Sequence, residues 1–170
     1  TMGTLEMKGR IFTFGCSLTH YHWHTWADII NFDLDNEFQN WGIAGIGNVS
    51  ILHKMLECDL KHKFNSNDII LVNWSSWHRE DRISIGGEWM CGGNIFNNPT
   101  FDQSFIDKYW NEHNDIVKNT SAIIMANKMF NINFQSHMVD FDNYIDVSDD
   151  YKYLFDNLPN TVIFDITNNS

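Results

Sequence analysis

His20, His22 and His24 stand at alternate positions in one short stretch, the densest grouping of metal-ligating side chains in the sequence. Alternate side chains on extended chain point the same way, so two or three of these imidazoles could converge on a zinc ion, with Asp28 adding an oxygen. No distant residue completes a ligand set. The favoured reading is therefore a surface loop beside Trp23 and Trp26 with no metal, and a metal-dependent hydrolase is the alternative. Cys16, Cys58 and Cys91 are odd in number and lack C-x-x-C spacing, which predicts reduced thiols. Aromatic faces stack on sugar rings, and Trp74, Trp77 and Trp89 fall near the predicted edge of the site, although most of the seven tryptophans should be core. Asp59-Leu60-Lys61-His62 pairs an acid with a histidine, but inside a predicted helix, where it reads as a solvated face. Ser17, in Phe14-Gly15-Cys16-Ser17-Leu18-Thr19, would by itself be an ordinary turn residue.

The elements that would position these groups alternate along the chain. Arg10 to Phe14 is short and β-rich and is closed by Gly15, which predicts a first strand. Thr25, with Asp28 three positions on, predicts a helix start. A second strand over Glu37 to Trp41 runs into a glycine-rich turn, Gly42 to Gly47. From Asn48 to Phe64, Ile51, Leu52, Met55, Leu56 and Leu60 recur at spacings of three and four, placing them on one helical face. Ile69 to Trp74 is nearly all apolar, as expected of a parallel strand covered on both faces. Residues 79 to 103, rich in Gly and Asn, predict a long surface excursion of the kind that carries specificity. A helical stretch over Ser104 to Met129, broken near Lys118 to Ser121, precedes a fourth strand around Ile132 to Gln135. A helix over Tyr151 to Leu158 and a fifth strand over Thr161 to Ile166 complete the pattern. Such alternation builds a parallel sheet in a three-layer α/β/α sandwich, with ligands at the carboxyl ends of the strands where Ser17 lies.

The 170 residues include 43% hydrophobic side chains and lack repeats, which predicts one domain over 8–170 preceded by a disordered or vector-derived leader over 1–7. A formal charge of −11 repels phosphate backbones and anionic lipid headgroups, so nucleic acid and membrane are not expected partners. The longest apolar runs fall far short of the roughly 20 residues that cross a bilayer. With no signal-peptide h-region in the first ten residues, the expected location is cytoplasmic. Oligomeric state is not legible.

Phe14-Gly15-Cys16-Ser17-Leu18-Thr19 resembles the G-D-S-L-T opening block of the SGNH, or GDSL, hydrolases, with Cys16 where the family usually has Asp. Trp23-His24-Thr25-Trp26-Ala27-Asp28 is similar to the T-W-A-D continuation of some members. Asn40-Trp41-Gly42-Ile43-Ala44-Gly45 is similar to the second block. The third block, normally G-x-N-D, departs to Val72-Asn73-Trp74-Ser75-Ser76. A D-x-x-H after the last strand, from which the family takes its base, is not found in 166–170. Either a longer product carries it, another histidine serves, or substrate is not turned over.

The resemblance implies a flavodoxin-like five-stranded parallel sheet and hydrolysis of a small ester, such as an O-acetylated carbohydrate, without a cofactor. Ser17 would be the nucleophile. The N–H groups of Ser17 and Gly45 would hold the oxyanion, with a hydroxyl from Ser75, or from Ser76 in a shifted alignment, in place of the usual amide. With strand order 2-1-3-4-5, His78 lies on the loop beside Ser17, and His137, with Asp140 nearby, lies one strand further away; both are candidate bases. Asn48, Trp74 and Arg79 are candidates for contacting substrate, Arg79 through a carboxylate or developing negative charge. A different class of function is a catalytically silent domain that binds a glycan or partner through the tryptophan rim.

Overall fold

The computed structural model describes residues 9–130, 134–140, 150, 152–158 and 162–165; of 134–140, 155 and 162–165 only the backbone is described. Five strands, β1 (Ile11–Gly15), β2 (Phe38–Asn40), β3 (Ile69–Trp74), β4 (Phe134–Asp140) and β5 (Val162–Asp165), form one parallel sheet in the order β2-β1-β3-β4-β5. The helices between them are α1 (Trp26–Asp33), α2 (Asn48–His62), α3 (Gln103–Tyr109), α4 (Glu112–Met129) and α5 (Lys152–Asp156). The step from β1 to β2 runs one way along the sheet, and the later crossovers run the other. A right-handed connection therefore places α1 on one face and α2, α4 and α5 on the opposite face. Strand order reverses between β1 and β3, where Gly15 pairs with Asn73 in register.

The side-chain period of two explains the core. Phe12, Phe14, Ile70, Val72 and Trp74 all point to the α2 and α4 face and are fully buried there against Ile51, Met55, Ile123 and Ala126. Burial of such side chains stabilises by roughly 1.5–3 kcal/mol each before chain entropy is charged against it. At the amino end of the sheet the Arg10 guanidinium grips Asp68 at 2.9 and 2.6 Å and also donates to the His62 and Lys63 carbonyls. One side chain thereby joins β1, the approach to β3 and the end of α2.

Local chemistry sets the helix boundaries. Thr25 is the N-cap of α1, and its backbone N–H donates to the Asp28 carboxylate at 2.7 Å. The fully buried Cys58, on the core side of α2, has its thiol pushed up to about 12 by burial, as expected of an inert structural thiol. The break in the long helical region falls at Trp110 and Asn111, not near residues 118–121 as expected. The Asn111 side chain caps α4 by accepting from the Asn114 N–H at 3.1 Å, and the 118–121 stretch is continuous helix. The fourth strand runs on to Asp140, so His137 lies inside it, in register with Asn73, and not on a following loop. The His137 side chain and residues 1–8 lie outside the described residues. Among the described residues, no helix is long and apolar enough to cross a membrane.

Candidate active site

Ser17 and Ser75 follow the neighbouring strands β1 and β3, each two residues beyond a register pair, Gly15 and Asn73. Gly15 adopts φ 154°, and a Cβ there would lie 2.1 Å from the Thr19 hydroxyl and 2.7 Å from the Asn73 carbonyl, so only glycine lets the chain turn between these strands. Behind the turn, the Cys16 carbonyl accepts from the Thr19 and His20 N–H groups at 2.9 and 3.1 Å. Ser17 is left half-buried at the front.

Asn40, at the end of β2, ties the first two loops together. Its side-chain nitrogen donates to the Thr19 carbonyl at 2.9 Å, and its oxygen accepts from the Gly42 N–H at 3.0 Å. His20 Nδ1 lies 3.0 Å from the Gly42 carbonyl, a second bond between the same loops. Neither the Ser17 nor the Gly45 N–H meets an acceptor among the described residues. Two backbone donors on cross-tied loops without internal partners are what an oxyanion hole requires.

Gly45 is glycine for a reason the sequence does not reveal. Its φ is +83°, and a Cβ would lie 2.5 Å from the Cys91 carbonyl oxygen. Gly93 also donates its N–H to the Gly45 carbonyl at 2.9 Å. The backbone that needs the missing Cβ is thus the returning end of the 79–103 excursion, not an approaching substrate. The oxyanion role assigned to this residue rests on its N–H alone.

The loop after β3 is pinned from both sides. Asn48, the first residue of α2, accepts from the Ser75 N–H at 2.7 Å and donates to the Ser75 carbonyl at 3.0 Å and to Asn119 Oδ1 at 2.8 Å. With 0% exposure and these contacts made, Asn48 does not contact substrate; it holds Ser75. The Ser75 hydroxyl has no hydrogen-bond partner, as is true also of the buried Thr13 hydroxyl and Trp26 Nε1, and its burial takes it out of reach of the oxyanion it was expected to hold. Arg79 donates to the Ile46 carbonyl at 3.0 Å and to the Ser76 hydroxyl at 3.3 Å, so the guanidinium expected to meet substrate is bonded to the chain itself. Asp81 accepts from the Gly47 and Val49 N–H groups and the Ser50 hydroxyl, neutralising the N-terminus of α2, which would otherwise attract an anion.

His78 Nδ1 lies 3.2 Å from a carboxylate oxygen of Asp115 on α4, a residue not singled out from the sequence. Trp110 Nε1 donates to that oxygen at 3.1 Å, and Lys118 Nζ lies 3.6 Å from the other. No short-range motif links residues 37 positions apart. The available signal was Asp115 one turn into a helix whose N-terminus must face the carboxyl ends of the strands.

No family model and no curated protein matches the chain. Among solved structures, a member of the lipolytic protein G-D-S-L family from Veillonella parvula DSM 2008 is similar with a TM-score of 0.44 at 9% identity. The alignment covers 86% of this chain and 67% of that one.

Other expectations are corrected by burial. Trp74 and Trp77 are 1% and 3% exposed and belong to the core, because β3 turns Trp74 to the α2 and α4 face and the pinned loop folds Trp77 under it. Trp89 packs edge-on against His53 at 5.4 Å. The aromatics that do stand at the surface beside His78 are Phe96 and Trp110, at ring separations of 5.2 and 6.0 Å. The three alternate histidines do not converge. His20 bonds Gly42, His22 packs on Tyr21 and Trp23, and His24 packs on Phe32. Among the described residues no group of three or more His, Cys, Asp or Glu could hold a metal.

Proposed function

We propose that the chain is a serine esterase that cleaves a small ester, with an O-acetylated carbohydrate as the first substrate class to test. The observation that carries this reading is the pair of unpaired backbone donors beside the strand-order reversal, the N–H groups of Ser17 and Gly45. The resemblance of the Ser17 and Asn40 to Gly45 segments to the SGNH blocks supports it.

In this mechanism Ser17 Oγ attacks the acyl carbon as its proton passes to a histidine. The carbonyl oxygen becomes negative and is held by the two N–H groups, whose loops are cross-tied before the charge forms. The histidine then gives the proton to the leaving alcohol oxygen as the C–O bond breaks. Water, deprotonated by the same ring, releases the acid and restores Ser17.

The test is intact mass after incubation with a fluorophosphonate probe, on the native chain and on Ser17→Ala. One adduct, lost in the variant, is expected. No adduct on the native chain removes the nucleophile, and the rim of Phe96 and Trp110 would then be assayed for glycan binding without turnover.

A further inference from the structure

We infer that the outward face of α1 is a docking surface for a cationic amphipathic segment of a partner protein, which lays its apolar side chains on Ile29 and Phe32 and its Lys or Arg side chains beside Asp28 and Asp33. α1 carries none of the groups assigned to ester cleavage, so the surface stands apart from that chemistry.

A helix lying on a sheet ordinarily turns its large apolar residues inward. α1 does the reverse. Ala27 is the one residue of its eight that is buried, whereas Phe32 is 71% and Ile29 57% exposed. At about 3.6 residues per turn, these two lie next to each other on the side away from Ala27, with Asp28 on one flank and Asp33 on the other. The apolar surface continues past the helix. The His24 ring packs on Phe32 at 5.4 Å, and its chain neighbour Trp23, 62% exposed, packs on Tyr21 at 4.1 Å and on His22 at 4.7 Å. Leu34, at the other end of α1, is exposed too. Apolar side chains scattered singly over a surface are ordinary, but adjoining ones, aromatics above all, mark a place where another molecule sits.

Charge decides what that molecule is. No Lys or Arg stands between Arg10 and Lys54, the stretch that builds β1, α1 and β2, while Asp28, Asp33, Asp35 and Glu37 all fall within it. The Thr25 N–H holds the Asp28 carboxyl below the usual carboxylate range, so it is a charged flank at neutral pH. A second copy of this chain would bring the same carboxylates to the same face, on a molecule of formal charge −11, and anionic lipid headgroups would be repelled in the same way. A cationic segment meets both features of the surface. Apolar side chains at helical spacings of three and four match the Ile29 and Phe32 pair, and cations between them reach the carboxylates on either flank. The exposed faces of Phe32 and Trp23 attract those cations further.

The probe is a short synthetic peptide of Leu and Lys at amphipathic helical spacing, with a counterpart that has Glu in place of every Lys. Each is titrated into the full chain by calorimetry, with proton–nitrogen spectra recorded alongside. One-to-one binding of the Lys peptide is expected, with amide shifts over Trp23 to Leu34, and no binding of the Glu peptide. Affinity should fall by about tenfold or more in the double variant Ile29→Ser, Phe32→Ser and about two- to fivefold in Asp33→Asn. Leu60→Ser, which removes a 60% exposed residue from α2, should bind as the native chain does. Absence of binding, equal binding of the two peptides, or a loss in Leu60→Ser as large as in the double variant would overturn the inference. A native dimer in sedimentation velocity that the double variant abolishes would overturn it as well, since a second copy would then cover the face. The shift map is read on the native chain, so the surface is located even if the double variant fails to fold.

Discussion

The loops after β1 and β3 start at the same height on neighbouring strands and are built in opposite ways. The first carries the half-buried Ser17 and then the exposed His22, Trp23 and His24, and touches the rest of the chain through few bonds, chiefly those of Asn40 and His20 to the adjoining turn. The second is tied to α2 through Ser75 and Asp81, to Ile46 just ahead of α2 through Arg79, and to α4 through Trp77, His78 and Arg79. One loop displays the proposed nucleophile. The other is fixed to the helices behind it, as a loop must be if it is to hold groups in place before a substrate arrives.

The contrast can be broken most strongly at Asn48. Asn48→Ala leaves the Ser75 N–H and carbonyl and the Asn119 side chain without partners in the interior, which should cost about 3–5 kcal/mol. Calorimetry should show a melting temperature roughly 6–20 °C lower. A fall below about 2 °C would mean that the β3 loop is not held as described.

Gly45→Ala tests the turn that joins the two regions and should cost about 1–3 kcal/mol, through positive φ and the Cys91 carbonyl at 2.5 Å. Denaturant midpoints measure this, and the amide signals of residues 91–93 should shift with it.

The smallest effect belongs to the open loop. The Thr25 N–H, followed by its hydroxyl, holds the Asp28 carboxyl below the usual carboxylate range against the opposing cost of partial burial. A carboxylate held low in the folded state adds stability above its unfolded value, and that contribution is lost as pH falls through the folded value. Amide exchange at residues 26–28 should therefore quicken below about pH 4, with only a few tenths of a kcal/mol at stake at this solvent-screened site.

Much of this scaffold was legible in the sequence, because local physics wrote it there. The three-and-four spacing of Ile51, Leu52, Met55 and Leu56, the apolar run of β3 and the Thr25–Asp28 start all act over a few residues. The helix break escaped because Asn111 caps by its own side chain, whereas the 118–121 stretch only looked polar. Thr120 there bonds back to the Ile116 carbonyl and stays in the helix. Of the candidate site, Ser17 and Gly45 were picked out by motif, but the contact of His78 with Asp115 was not, since the two residues are 37 apart and nothing local marks the pair. Asn48 and Trp74 were misassigned because residue type does not say which side of a loop or sheet a side chain faces.

The strand order also bears on how the chain is made. β1 lies between β2 and β3 in the finished sheet, and its pairing with β3 joins residues 58 apart, as Ile11 to Ile69 and Arg10 to Asp68 both show. At ribosomal rates of about 5–20 residues per second, β1 waits about 3–12 s for that neighbour to be synthesised. During that interval an inner strand of the finished sheet is a temporary edge, and Ser17 emerges long before the loop after β3.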